Sequence, residues 1–80
     1  MQDEKTKKQI LMRLKRLNGQ IGGIAKMVEN DGECRAIIQQ VKAARSALDA
    51  TGKLVLACYL ESCVNNSEPT EEAMGLFLDY

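Results

Sequence analysis

Between Thr6 and Glu29 the apolar residues Ile10, Leu14, Leu17, Ile21, Ile24 and Val28 follow one another at spacings of 4, 3, 4, 3 and 4. That alternation keeps them on one side of a helix, so this stretch is predicted to form a long amphipathic helix. Gly19, Gly22 and Gly23 interrupt it, each costing up to about 1 kcal/mol relative to Ala in a helix interior. The segment Glu29-Asn30-Asp31-Gly32-Glu33 breaks the pattern. Asp31 is predicted to cap a second helix starting near Gly32 or Glu33. From there to Cys63 only Gly52 weakens the helix, and no proline occurs before Pro69.

A helix of about thirty residues is roughly 45 Å long. Its apolar positions, among them Ile37, Ile38, Val41, Leu48, Val55, Leu56 and Leu60, cover more than one stripe. One neighbouring helix cannot hide them all, which points to self-association. The following segment reads as a loop into a fresh helix start, with Ser67 or Thr70 as its cap. The chain then finishes in a short amphipathic helix carrying Met74, Leu76, Phe77 and Leu78. The predicted fold is all-α: two long antiparallel helices and one short C-terminal helix, in a single domain over residues 1–80.

Composition refines this picture. With one Phe, two Tyr and no Trp, the core must be aliphatic, and a chain of this size gains from assembly with other chains. The start, MQDEKTKK, has no apolar region of a secretory signal. The longest apolar run, Leu54–Leu60, is too short to span a bilayer. A soluble, cytoplasmic protein with no membrane partner is expected. Three cysteines, an odd number, argue against a secreted disulfide framework. The absence of histidine leaves a thiol enzyme without its usual base, so no enzyme is expected. Net charge is zero, yet residues 1–29 carry seven basic and three acidic side chains. A basic N-terminal half hints at nucleic acid.

The cysteines carry the candidate chemistry. Cys34 and Cys63 are 29 residues apart, which places them about 20° apart around the second helix and roughly 43 Å apart along it. Tyr59 and Arg45 share that face. Cys58 lies about 120° away and is expected merely to pack. The pair can meet if the second helices of two subunits run antiparallel, with a two-fold axis near Leu48 and Asp49. Cys34, close behind the expected cap, has its thiolate stabilised by the helix N-terminus and Arg35, with Glu33 and Asp31 opposing. An activated thiolate facing a second thiol suits attack followed by cross-linking.

The stretches RLKRLNGQIGGIAKMVENDGEC, QQVKAARSALD and YLESCV together resemble the copper-sensitive operon repressor family, CsoR, over nearly the whole chain. The resemblance implies an antiparallel dimer forming a four-helix bundle, dimers paired into a homotetramer, and a repressor without a helix-turn-helix. Such a repressor releases operator double-stranded DNA when an inducer reacts at its cysteine site. By position, Arg13, Lys15, Arg16 and Gln20 match the family's DNA-contacting first helix, and Lys53 a basic position in the second. Gln9, Arg13, Arg16 and Gln20 also form a stripe beside the apolar one.

Departures from the family pattern sharpen the expectation. Copper sensors of the family use a Cys, a His and a Cys, one cysteine coming from the other subunit. Here Cys34 and Cys63 are kept and Tyr59 stands at the position of the copper-ligand His. A phenol is a poor Cu(I) ligand beside thiolate or imidazole. The family's nickel and cobalt sensors need several His, and its formaldehyde sensors an N-terminal Pro where Gln2 stands. What remains is similar to the CstR branch of persulfide sensors. The expected function is therefore a repressor switched by reactive sulfur species at Cys34 and the partner's Cys63, needing no cofactor. The alternative is Cu(I) sensing by the same two thiolates, and a third reading is a helical interaction module without DNA binding.

Overall fold

Asp3 starts the first helix. Its carboxylate accepts a hydrogen bond from the Lys5 amide at 3.0 Å and from Thr6 Oγ1 at 2.7 Å, satisfying donors that a helix N-terminus otherwise leaves free. These bonds, the Thr6 hydroxyl foremost and the Lys5 amide next, hold the Asp3 carboxyl below the usual carboxylate range. A depressed folded value contributes stability at pH above the unfolded value and loses it as pH falls through the folded one. The first turn is accordingly expected to fray only in acid, which amide exchange at Thr6–Lys8 between pH 5 and pH 3 would register.

The computed structural model describes residues 3–79; Gln2 and Tyr80 lie outside them. Three helices result: α1 (Glu4–Glu29), α2 (Cys34–Asn65) and α3 (Glu71–Leu78). The described residues are all-helical, as the hydrophobic spacing predicts, with no strand among them.

The expected role of Asp31 is corrected. Asp31 ends α1 instead of capping α2: it adopts a positive φ of 54°, one residue past the cap Asn30. The Gly32 amide donates to the Met27 carbonyl at 2.8 Å and the Asp31 amide to Val28 at 3.1 Å. This left-handed termination satisfies the last carbonyls of the helix. The residue preceding α2 is Glu33, which makes no side-chain capping bond, so Cys34 is the first residue of α2 and not the third. The same device closes α2. Ser67 also has φ 54°, and the Glu68 amide reaches the Cys63 carbonyl at 2.8 Å. Ser67 is thus a turn residue, and Thr70, without a side-chain bond, occupies the cap of α3.

Gly32 is required by this first turn. A Cβ there would stand 2.9 Å from the Met27 carbonyl oxygen, a backbone atom that can yield only by moving the helix end. Gly32→Ala is expected to lower stability by about 1–3 kcal/mol, read as a lower denaturation midpoint at unchanged slope.

α1 and α2 form an antiparallel hairpin. Asp3 and Thr6 share a groove with Cys58 and Ser62, while Arg13, Arg16 and Gln20 share one with Ala47 and Thr51. Of the predicted α1 stripe, Ile10 and Leu17 are buried, but Leu14, Ile21 and Val28 stand 40–57% exposed. Three members of the stripe are therefore left uncovered by α2, although they share its side of α1. Thr51 is buried at 4% exposure, and its hydroxyl donates to the Ala47 carbonyl at 2.9 Å. The whole is a slab of 53 × 26 × 12 Å, one helix thick.

Candidate effector site and nucleic-acid interface

Cys34 is exposed and Cys63 buried, at opposite ends of one continuous 32-residue helix. Their separation of about 43 Å along the axis means that one chain alone never joins them. The face they share is not bare. Ile38, Val41, Leu48 and Val55 lie on it within about 60° of Cys34, each 37–55% exposed. An exposed apolar stripe thus runs between the two thiols, and Arg45 is exposed on the same side.

Tyr59 stands one turn before Cys63, 39% exposed. The Glu72 carboxylate of α3 chiefly pushes its phenol up, with burial, Cys63 and Glu68 adding to the effect. A phenol is a poor donor to soft metal ions, so the soft ligands of this face are the two thiols. Thiolates suit Cu(I). Among the described residues no three His, Cys, Asp or Glu side chains gather as a metal-binding group, so the two thiols could serve one ion only across two chains. Sequence reasoning missed Glu72. The acidic pair Glu71-Glu72 opens α3, yet nothing in its spacing says that it turns towards Tyr59.

Cys58 is half-buried on the α1 side of α2, in a groove of about 270 Å³ with Asp3, Thr6 and Ser62. Val55 and Tyr59 line the same groove, so Cys58 borders the Cys34–Cys63 face while standing about 120° from Cys34 around the helix, as its position predicts.

The proposed nucleic-acid residues fall into two sets. Arg13 and Arg16 are exposed, Gln20 is half-buried, and all three line one groove of about 90 Å³ with Leu17, Ala47 and Thr51. No carboxylate lines it. Lys15 and Lys53 are exposed but do not line this groove; Lys15 is about 100° around α1 from Arg16. The structure therefore gathers Arg13, Arg16 and Gln20 and leaves the two lysines outside. No described helix is long and apolar enough to cross a membrane.

Comparison with known proteins gives this geometry a context. Residues 6–78 match the family model described as a metal-sensitive transcriptional repressor. The chain is similar to the copper-sensing transcriptional repressor CsoR of Bacillus subtilis (strain 168), at 38% identity over 78 residues, covering 94% of this chain and 77% of that protein. It is also similar to the copper-sensing transcriptional repressor CsoR of Mycobacterium bovis (strain BCG / Pasteur 1173P2), at 33% identity over 61 residues. That match covers 76% of this chain and 51%, about half, of the other.

Proposed function

The chain belongs to the family of metal-sensitive transcriptional repressors of the CsoR type, and from that premise we propose that it is a Cu(I)-responsive repressor of operator double-stranded DNA. Cys34 and the partner's Cys63 would hold Cu(I) as two thiolates. The stripe of Arg13, Arg16 and Gln20, flanked by Lys15 and Lys53, would hold the DNA. The observation that carries the reading is the placement of the two thiols. They sit at opposite ends of one α2 face with an exposed apolar stripe between them, so a second chain laid antiparallel on that stripe brings each Cys34 to a partner's Cys63.

We take residues 1–80 as one domain that works in the cytoplasm. It is a homodimer forming a four-helix bundle, paired into a homotetramer, and is not an enzyme. Effector capture releases DNA only if it favours one arrangement of the chains over the other. A site shared between two chains supplies that preference, because holding both thiols fixes how the two α2 helices lie, and with them the spacing of the α1 stripes.

Copper takes precedence over the reactive sulfur expected from the sequence because the similar proteins are copper-sensing repressors. A specific observation keeps the sulfur reading as the second: Tyr59 stands where the family's copper sensors are expected to carry a His, and a phenol is a poor Cu(I) ligand, so two soft donors remain. In that case Cys34 thiolate takes the outer sulfur of a persulfide and expels a thiolate. The thiol of the partner's Cys63 then attacks the Cys34 sulfur of the newly formed persulfide, making the disulfide and releasing hydrogen sulfide. One experiment separates them. The protein is titrated with Cu(I) against a strong chelator, and separately with inorganic polysulfide, each followed by operator binding and a non-reducing gel. Tight Cu(I) binding that frees DNA without a cross-linked dimer supports copper. A cross-linked dimer that frees DNA, with weak Cu(I) binding, supports sulfur. Retention of DNA under both treatments defeats the site.

A further inference from the structure

Cys63 is 2% exposed, a degree of burial at odds with a thiol that must be reached by an effector and by another chain. Its position around α2 shows what covers it. The side of α2 that faces α1 is centred on Ala47, Thr51, Cys58 and Ser62, with Val55 and Tyr59 at its edge; all share grooves with α1 residues. Cys63 points about 120° away from Thr51, and Leu56 about 140° away, within about 20° of Cys63. Both are nonetheless buried. Both lie beyond Tyr59, the edge of the side that α1 reaches, so α1 is not their main cover. What remains is the turn after α2, whose Glu68 amide bonds the Cys63 carbonyl, and α3, which packs on α2 and not on α1 among the described residues. Its Ala73 is 0% exposed, and its Glu72 acts on Tyr59, one turn from Cys63.

The cover is lightly held. α3 has eight residues and no side-chain cap bond at Thr70, whereas isolated helices shorter than about 12–15 residues are marginal in water. It therefore exists as a helix only while docked. Yet the contact it makes is slight: Ala73 is its buried side chain, while Met74, Leu76, Phe77 and Leu78 are 45–79% exposed. Elements with few buried contacts open well below the free energy of global unfolding.

We propose that α3 is a lid over Cys63, and that the two-chain thiol site becomes accessible only when this helix lifts from α2. The lid rests on the reading of Cys34 and Cys63 as the effector thiols for its meaning, but not for its existence. In the closed chain one thiol of the pair is open to solvent and the other is withheld. The rate of effector capture is then the intrinsic thiol rate multiplied by the fraction of time α3 is open.

The test is alkylation of the full-length protein with N-ethylmaleimide, followed residue by residue by mass spectrometry. Cys63 is expected to react at least about tenfold more slowly than Cys34, and low, non-denaturing urea should change this rate far less steeply than it changes global unfolding. Ala73→Asp, which places a charge in the α2–α3 contact, should accelerate Cys63 severalfold and leave Cys34 and Cys58 unchanged. Should that variant unfold, seen as faster Cys58 labelling, the milder Ala73→Leu and the exchange rates of the α3 amides in wild type replace it. Under a lid, the protection of those amides matches the slowing of Cys63. Equal rates at Cys34 and Cys63, or a Cys63 rate with the urea dependence of global unfolding, would overturn the lid. None of these readouts uses DNA, Cu(I) or sulfur, so a failed lid and a failed effector site are told apart.

Discussion

Cys34→Ser should abolish the effector response while leaving operator binding at wild-type strength. Removing one of two thiolates leaves the ion a hydroxyl in place of its soft donor, and affinity should fall on the order of 100-fold or more. Cys63→Ser should do the same. The decisive measurement is the mixture. A Cys34→Ser chain retains Cys63 and a Cys63→Ser chain retains Cys34, so a dimer containing one of each rebuilds one of its two sites. Random exchange of equal amounts therefore restores about a quarter of the wild-type binding capacity. A site within one chain restores none. The 32-residue α2 makes the second outcome geometrically excluded for these two residues, so a mixture without recovered capacity would sink the pair as the effector site.

Loss of the guanidinium groups is the other large effect. The double substitution Arg13→Ala and Arg16→Ala should weaken operator binding on the order of 100-fold at moderate salt. These two residues share one groove with Gln20, and no carboxylate among its lining residues competes with a phosphate for them. Counterion release sets a second signature. If each subunit loses two phosphate contacts, the slope of log affinity against log salt should flatten by about 1.8 per subunit. Lys15→Ala, a quarter-turn off the groove, should cost much less and keep most of the slope. Cu(I) affinity measured without DNA should be unaltered in both variants. An unchanged salt slope in the double variant would remove α1 from the interface.

The residues that make the fold legible are those whose signal is local. Spacings of 3 and 4 find α1, the proline-free stretch after the break finds α2, a fresh cap followed by apolar residues finds α3, and the angular relation of Cys34, Tyr59 and Cys63 needs only the length of α2. Asp31 misleads because its side chain serves two opposite ends equally well: it caps helix starts and also tolerates the left-handed conformation that closes them. The deciding bonds, Gly32 to Met27 and Asp31 to Val28, are visible only in three dimensions. Asp3 escapes notice for the opposite reason. Its signal, an Asp three residues before Thr6, stands outside the apolar stripe that defines the expected start. The exposure of Leu14, Ile21 and Val28 and the burial of Cys63 depend on where two other helices lie. Angle around one axis does not reveal that.

The 12 Å thickness carries a consequence for gene dosage. A layer one helix deep has only a thin interior, Ile10, Leu17, Leu56 and Ala73 among its buried side chains, and in the proposed assembly the exposed apolar rows of α1 and α2 leave water against other copies. Apparent stability then follows mass action and rises with protomer concentration. Full stability and repression would share one threshold: below a certain number of copies per cell the regulator would lack both the cover of its apolar rows and its grip on the operator, and above it would gain the two together.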